Sequence, residues 1–388
     1  MNPFSAIFVP DELADAVSDR AWLEAMLAAE RALVQAQARV GVAPAAAASA
    51  VAAACDAALY DAHELAEQGR ATGNPAEPLV RALRERVGDE YAGWVHRGAT
   101  SQDIVDSAAM LVARHALRLI DAELEDVADA CAGLVEEHRG TVMAARTLLQ
   151  QAVPTTFGYK AAGWLVGVVE ARARLEDVAG RLPAQLGGAA GTLAALGADG
   201  ARVLELYSLE LGLLEPVLPW HTIRTPVAEL AGALATAAGV AGKIAGDVVL
   251  LAQTEVGEVA EGTGGGSSTM PHKRNPAAAV LAAACERHAR ANAAVLLESV
   301  VAEHERAVGA WHAEWHALTV SLAATGGAAA ALRRSLGSLE VDVARMRANL
   351  SGDTLSEARR FGFDVSVPED YLGSVETFID RALALHRA

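Results

Sequence analysis

Three polar segments of the sequence carry residue types that could do chemistry. The first, at residues 96–106, reads "HRGATSQDIVD", and the second, at residues 145–158, reads "ARTLLQQAVPTTFG". The third, at residues 262–276, reads "GTGGGSSTMPHKRNP" and joins glycines and two serines to a short basic run. Each segment adjoins a long helical pattern, where hydroxyls, cations and backbone N–H groups can converge on an anion. The three segments therefore predict a site for an anionic small molecule.

The third segment is the most specific of the three. A Walker-type phosphate loop requires G-x-x-x-x-G-K-[ST], and the sequence contains no Gly-Lys pair followed by serine or threonine. A passive linker would not need the "MPHKRNP" at its end. We interpret the segment as a mobile catalytic loop, in which Gly262 and the glycines at 264–266 supply backbone freedom.

The other two segments are open to plainer interpretations. Thr100 or Ser101 could simply cap the helix that follows, with Asp103 in its first turn. The second segment, taken alone, would pass for a helix junction before Pro154.

Composition limits the classes of protein to consider. The chain has 388 residues, of which 52% are hydrophobic, so it can form a large core and is not a disordered chain. Its formal net charge of −17 makes nucleic acid and anionic membrane surfaces poor partners. Three widely separated cysteines, with no CxxC pair, argue against a disulfide framework or zinc cluster. With no signal peptide evident at the N-terminus, we expect a soluble, cytoplasmic protein.

Helical periodicity must supply the elements that position the three segments. Trp22, Met26, Leu33 and Val40 form one apolar stripe, and Gly41 is a plausible helix stop. Longer helical patterns follow, and we found no strand alternation of consequence. These patterns cover residues 107–138, 155–181, 226–258, 277–301 and 307–334.

Helices of this length predict an all-α protein with a central bundle. We divide the chain into an N-terminal helical domain (1–105), a central long-helix domain (106–335) and a small C-terminal helical domain (336–388). The segment "LAGALATAAGVAGKIAGDVVLLAQ" is apolar on nearly every face and must be covered all round. Either the bundle is shared between chains, which we favour, or the other helices of one chain cover it.

The three segments together resemble a known family. "GSSTMPHKRNP" is similar to the signature G-S-S-x-x-P-x-K-x-N of the fumarase/aspartase superfamily. The other two segments are similar to that superfamily's remaining conserved blocks, in the same order, and the resemblance covers essentially the whole chain. It implies an all-α, three-part fold whose central bundle is shared in a homotetramer, with active sites built from more than one subunit. It also implies removal of a proton from a carbon next to a carboxylate.

Within the superfamily, the sequence looks most like the bacterial 3-carboxy-cis,cis-muconate cycloisomerases. The segments that carry this likeness include "QLGGAAGTLAALG", "PWHTIR", "EHERAVGAWHAEW" and "YLGSVETFIDRAL". The likeness implies conversion of 3-carboxy-cis,cis-muconate to a carboxymuconolactone in aromatic catabolism. A polycarboxylate would be the substrate, and neither a metal nor another cofactor is implied.

The resemblance also implies roles for individual residues. Ser267 would be the catalytic base, and Lys273 and Asn275 would stabilise the negative charge that develops on the substrate. The expected substrate-binding residues are His96, Arg97, Thr100, Ser101, Thr147, Gln150, Arg224, Ser268, Met270, His272, Arg274 and Arg306.

Two departures from the family pattern bear on the reaction. Leu148 stands where the lyases usually carry a histidine, and Val280 stands where an acidic residue is usual. A lyase that acts on adenylosuccinate must protonate a nitrogen leaving group, so Leu148 argues against this alternative. A non-catalytic structural protein is a third alternative, and the intact Ser267, Lys273 and Asn275 argue against it. The "HAEWH" run fits neither zinc-protease motif, and we expect no metal there.

Overall fold

Helices dominate the computed structural model, which describes residues 5–262, 265–266, 269–270 and 273–388. The N-terminal part contains six: α1 (Ser5–Phe8), α2 (Asp11–Ala16), α3 (Asp19–Arg39), α4 (Ala45–Ala54), α5 (Ala62–Gly69) and α6 (Ala76–Val87). The middle of the chain contains α7 (Ser101–Glu137), α8 (Phe157–Gly180), α9 (Gly200–Leu211), α10 (Thr225–Leu251), α11 (Ala277–Glu298) and α12 (Ala310–Gly337). The last part contains α13 (Val343–Asn349), α14 (Ser356–Arg360) and α15 (Val375–Arg387).

The five long helices α7, α8, α10, α11 and α12 pack along one another as the predicted central bundle. Their buried side chains are mainly alanine, leucine and valine, as the composition indicates. Small side chains let neighbouring helix backbones approach closely, which suits a bundle of this composition. Helix α3 packs on the start of the bundle through α7, with Leu23, Met26, Leu27 and Leu33 buried.

The helix bounds agree with the sequence patterns to within a few residues at most ends. Helix α3 ends at Arg39, and Gly41 follows with a φ of +79°, which confirms the predicted stop. Helix α7 begins six residues earlier than the pattern indicated, because Thr100 caps it. Helix α10 ends at Leu251, seven residues before the predicted end.

The prediction of no strands needs correction, because the described residues contain six short ones. These are β1 (Val142–Thr147), β2 (Gln150–Thr156), β3 (Val259–Glu261), β4 (Gly265–Gly266), β5 (Arg274–Asn275) and β6 (Leu339–Val341). They form three antiparallel pairs, β1–β2, β3–β6 and β4–β5. Four of the six have two or three residues, too few to show an alternating pattern.

Helix α10 is long and apolar enough to cross a membrane by length and composition alone. It packs against α8, α11 and α12. A core helix of a bundle has the same length and apolar composition. Its apolar character therefore fits a position in the bundle.

The three-part division of the chain stays a proposal. The boundaries at residues 105 and 335 fall inside α7 and α12, and both helices continue across them. The boundaries therefore mark the ends of the bundle and do not fall at linkers.

Candidate active site

The first segment enters helix α7 through a capping interaction. The backbone N–H of Thr100 donates to the Asp103 carboxylate at 2.9 Å, and α7 begins at Ser101. The capping interpretation of this segment is thus confirmed for Thr100. Thr100 and Ser101 are both half-buried at the helix N-terminus, where the helix dipole favours an anion.

Asp103 is fully buried and joins three parts of the chain. Its carboxylate accepts hydrogen bonds from the backbone N–H groups of Gly187 and Gly188, each at 2.9 Å. The Nε2 atom of His221 lies 2.6 Å from the same carboxylate. A Cβ atom on Gly187 would lie 2.7 Å from the His221 ring, so only glycine allows this approach. The segments "QLGGAAG" and "PWHTIR" are therefore fixed against the first segment.

Arg224 lies in a buried ion cluster and is 3% exposed. Its guanidinium donates to Asp106 at 2.6 and 3.1 Å and to Glu314 at 3.0 Å, and it stacks over the Trp220 ring. Burial lowers the pKa of Arg224, but the two carboxylates raise it by more, so the group stays charged. Burial also raises the pKa of Glu314. These contacts hold the guanidinium in place between Asp106 and Glu314, and the expected contact of Arg224 with a substrate stays a prediction.

Arg306 is an arginine of this region whose guanidinium contacts no carboxylate among the described residues. In the described part of the chain, its guanidinium donates to neutral oxygens: the side chain of Gln102 at 2.8 Å and the carbonyl of Ala189 at 2.8 Å. These contacts aim the group without neutralising its charge. Arg306 therefore fits the predicted role in binding a substrate carboxylate.

His96 pairs with Glu30, a residue that the sequence analysis did not single out. The Nδ1 atom of His96 lies 2.6 Å from the Glu30 carboxylate, which also accepts the His96 backbone N–H. Burial lowers the pKa of His96, but the carboxylates of Glu30 and Asp103 together raise it by more, so the net shift is upward from 6.5. The neighbouring Arg97 is exposed, and its guanidinium stacks 4.3 Å from the Trp94 ring centroid.

The second segment forms the hairpin β1–β2, which corrects its interpretation as a plain helix junction. Thr147 pairs with Gln150 at the end of the ladder, so Leu148 and Leu149 form a two-residue turn. The four residues are exposed. Two expected substrate-binding residues, Thr147 and Gln150, thus stand on either side of the turn.

A buried ion pair attaches the hairpin to the base of the third segment. Arg146 donates to both carboxylate oxygens of Glu258, at 2.9 and 2.6 Å, and the Glu258 side chain is fully buried. Asn349 donates to the same carboxylate at 2.8 Å. Glu258 directly precedes β3, which leads into the third segment. The second and third segments are therefore neighbours at one end of the bundle.

The described residues of the third segment form a short ladder. Gly265 pairs with Asn275 and Gly266 pairs with Arg274, while Lys273 is exposed and Met270 is partly exposed. Arg274 forms an exposed ion pair with Glu340 at 2.9 Å. The expected site residues Ser267, Ser268 and His272 lie outside the described residues.

The first segment lies far from the other two within one chain. Helix α7 separates it from the hairpin, and its 37 residues span about 55 Å. Even if the hairpin folded straight back along α7, the six residues of β1 would recover only about 20 Å. Residues 138–141 form a turn, closed by the hydrogen bond from the Thr141 N–H to the His138 carbonyl, so a gap of about 35 Å separates Thr100 from the turn of the hairpin. Within one chain, the described site residues of the first segment therefore do not meet those of the hairpin turn.

Sequence reasoning missed the carboxylates that hold these residues. The only local feature of the sequence that could have indicated Glu30 and Glu258 is that each is a polar residue on an otherwise buried face. Their partners, His96 and Arg146, lie 66 and 112 positions away in the chain. Within the described residues, no group of three or more His, Cys, Asp and Glu side chains could hold a metal ion.

Comparisons with known proteins identify the family of the chain. A family model described as lyase matches residues 9–317. The chain is 50% identical over 359 residues to nitrosuccinate lyase from Streptomyces davaonensis, covering 88% of this chain and 76% of that protein. It is 48% identical over 356 residues to 3-carboxy-cis,cis-muconate cycloisomerase from Bradyrhizobium diazoefficiens, covering 89% and 79%. The crystal structure of 3-carboxy-cis,cis-muconate lactonizing enzyme from Pseudomonas putida matches with a TM-score of 0.92 and 36% identity, covering 100% and 99%.

Proposed function

Because the chain belongs to the lyase family of the fumarase/aspartase superfamily, we propose that it is a 3-carboxy-cis,cis-muconate cycloisomerase. It interconverts 3-carboxy-cis,cis-muconate and a carboxymuconolactone in the catabolism of aromatic compounds. Whole-length similarity to the cycloisomerases supports this function. The structural observation that carries it is the exposed hairpin turn at Leu148, the position where the resemblance expects the proton-donating histidine of an amine-releasing lyase.

The chemistry of the leaving group explains why leucine is compatible with this reaction. In the direction that opens the lactone, a base removes the proton from a carbon next to a carboxylate. The neighbouring C–O bond then breaks, and its electron pair stays on the oxygen of the released carboxylate. A carboxylate has a pKa of about 4 and departs at neutral pH without a proton. An amine leaving group needs a proton, so an adenylosuccinate lyase is the weaker alternative.

We assign the catalytic roles in line with the resemblance. Ser267 exchanges the proton with the substrate carbon, and Lys273 and Asn275 stabilise the doubly charged carboxylate that forms. The guanidinium of Arg306 binds one of the three substrate carboxylates. The proposed reaction couples a proton transfer to the making or breaking of a C–O bond, and the proposal includes no cofactor.

The active site is built from more than one subunit of a homotetramer. The gap of about 35 Å between the first segment and the hairpin supports this proposal. In such an assembly, the first segment of one subunit meets the second and third segments of others. We place this soluble enzyme in the cytoplasm, with a small polycarboxylate as its substrate and no nucleic-acid or membrane partner.

Nitrosuccinate lyase is a second candidate function, because the relative of that name is 50% identical. The leaving group of such a reaction would be nitrite, which is also a stable anion at neutral pH. A leucine turn is compatible with both reactions, so the substrate that the protein turns over decides between the two candidates.

The experiment that tests the proposal is an ultraviolet assay of the purified protein with EDTA present. It follows loss of the conjugated diene of 3-carboxy-cis,cis-muconate, with nitrosuccinate and adenylosuccinate assayed in parallel. We expect rapid loss of the diene and no reaction with adenylosuccinate. Turnover of nitrosuccinate alone would replace the proposal with the second candidate. Turnover of adenylosuccinate would contradict the leaving-group argument.

A further inference from the structure

The turn of the β1–β2 hairpin has a backbone that leucine does not favour. Leu148 and Leu149 have φ values of +50° and +64°, both in the left-handed region. A two-residue turn with positive φ at both positions is of type I′, which strongly prefers Asn-Gly and similar pairs. Leucine carries a Cβ that makes this conformation costly. Local backbone preference therefore does not explain these two residues.

Packing within the chain does not explain the leucines either. The side chain of Leu148 is 96% exposed, and that of Leu149 is 70% exposed. Two neighbouring apolar side chains at the tip of a hairpin favour neither solubility nor folding of a single chain. Their presence points to a contact that the single chain does not make.

The hairpin holds the turn in a defined position. Its ladder pairs Thr147 with Gln150 and Arg146 with Gln151, and the Arg146–Glu258 ion pair anchors the hairpin beside the turn. Gln151 also donates to the backbone carbonyl of Asn349 at 2.7 Å. Strained conformations that are held by their surroundings are typical of functional sites.

We infer that Leu148 and Leu149 determine the specificity of the active site. The hairpin inserts these two side chains, as an apolar cover, against the first segment of a second copy of this chain. The inference rests on the proposed function. The occupant is a second copy because the flanking Thr147 and Gln150 and the uncompensated Arg306 lie at opposite ends of one chain. In the assembled site, the two leucines face the leaving group and exclude water from it.

This cover selects substrates by the protonation that their leaving group requires. The C–O bond of the lactone breaks with both electrons going to oxygen, and the released carboxylate needs no proton. An amine leaving group would meet apolar side chains, which cannot donate the proton that it requires. The leucines therefore accept leaving groups that depart as stable anions and reject those that must be protonated.

The test is a double variant that suits the turn, Leu148→Asn with Leu149→Gly. Asparagine and glycine favour the type I′ backbone, so we expect the thermal unfolding temperature to stay equal or rise. We expect kcat/KM for 3-carboxy-cis,cis-muconate to fall by about 100-fold, the order of loss that misplaced active-site groups cause. The control is Leu209→Asn, an exposed leucine on α9, which should keep its activity. Wild-type turnover by the double variant would overturn the inference.

A second measurement does not depend on turnover. In a Leu148→Cys variant, we expect the new thiol to react with dithionitrobenzoate several-fold more slowly than the thiol of a Leu209→Cys control. The tricarboxylate tricarballylate should slow only the reaction at position 148. Equal rates, unaffected by tricarballylate, would overturn the inference. A wild-type protein that is inert in every assay would instead contradict the proposed function, and thiol protection would still decide the position of the turn.

Discussion

Ser267 is the residue on which the proposed proton transfer depends. We expect Ser267→Ala to lower turnover of 3-carboxy-cis,cis-muconate by several orders of magnitude, because no other hydroxyl is assigned to the substrate carbon. Steady-state kinetics measure the loss, and light scattering checks that the oligomer is intact. Ser49→Ala on the exposed face of α4 is the matched control. Near-wild-type activity of Ser267→Ala would remove this serine from the mechanism.

The pair of His96 with Glu30 predicts a pH dependence of stability. The pKa of His96 is raised above 6.5 in the folded protein, so the protonated pair stabilises the fold. This contribution is fully present below the unfolded pKa and is lost as the pH rises through the folded pKa. We therefore expect His96→Asn to lower the free energy of unfolding more at pH 5.5 than at pH 9.

Urea unfolding of the wild type and the variant at both pH values provides the measurement. The exposed His63→Asn variant is the control, and it should change stability little at either pH. A loss in His96→Asn that is the same at both pH values would mean that the imidazole acts only through packing.

The residue types of the site could be predicted better than their partners. The basic and hydroxyl residues stand out in the sequence because they interrupt long apolar helices. Arg224 also stands out in the sequence as a basic residue, yet its side chain lies buried between Asp106 and Glu314. Those partners are 118 and 90 positions away, and no local pattern indicates such a pairing.

At the scale of elements, the hairpin depends on the buried pair of Arg146 with Glu258. We expect Arg146→Met to lower the free energy of unfolding by about 3–5 kcal/mol, because it leaves a buried carboxylate without its cation. Arg274→Met removes an exposed pair with Glu340 and should cost no more than about 1 kcal/mol. Chemical denaturation of both variants gives the comparison. Equal losses would show that burial of Glu258 does not decide the stability of this end of the bundle.

Helices could be predicted from the sequence far better than strands. A 3.6-residue period over 20 or more residues is a strong signal, and it identified the long helices to within a few residues at most ends. The strands β3 to β6 are two or three residues long, and the pairing of β3 with β6 joins positions distant in the chain. The hairpin turn was missed for another reason, since Leu-Leu is not a type I′ sequence.

At the scale of the whole molecule, α7 acts as a spacer between the two halves of the proposed site. Most of its length follows from the sequence pattern at 107–138, and the 37 residues of the helix rise by about 55 Å. The same helix carries the capping residues of the first segment at one end and leads to the hairpin at the other. An active site that needs both ends therefore needs more than one chain.

Complementation between inactive variants tests this arrangement. Arg306→Met removes the cation beside the first segment, and Ser267→Ala removes the proposed base in the third. We expect each homo-oligomer to be nearly inactive. If the two segments of a site come from different subunits, a random mixture of the two chains places both intact segments together in about a quarter of the sites. Unfolding the variants together and refolding them should thus recover about a quarter of wild-type activity.

Two variants of the same segment, Ser267→Ala and Lys273→Met, should recover none, because every site then lacks part of that segment. If native mass spectrometry detects mixed oligomers but the first mixture recovers no activity, each site draws all its residues from a single chain.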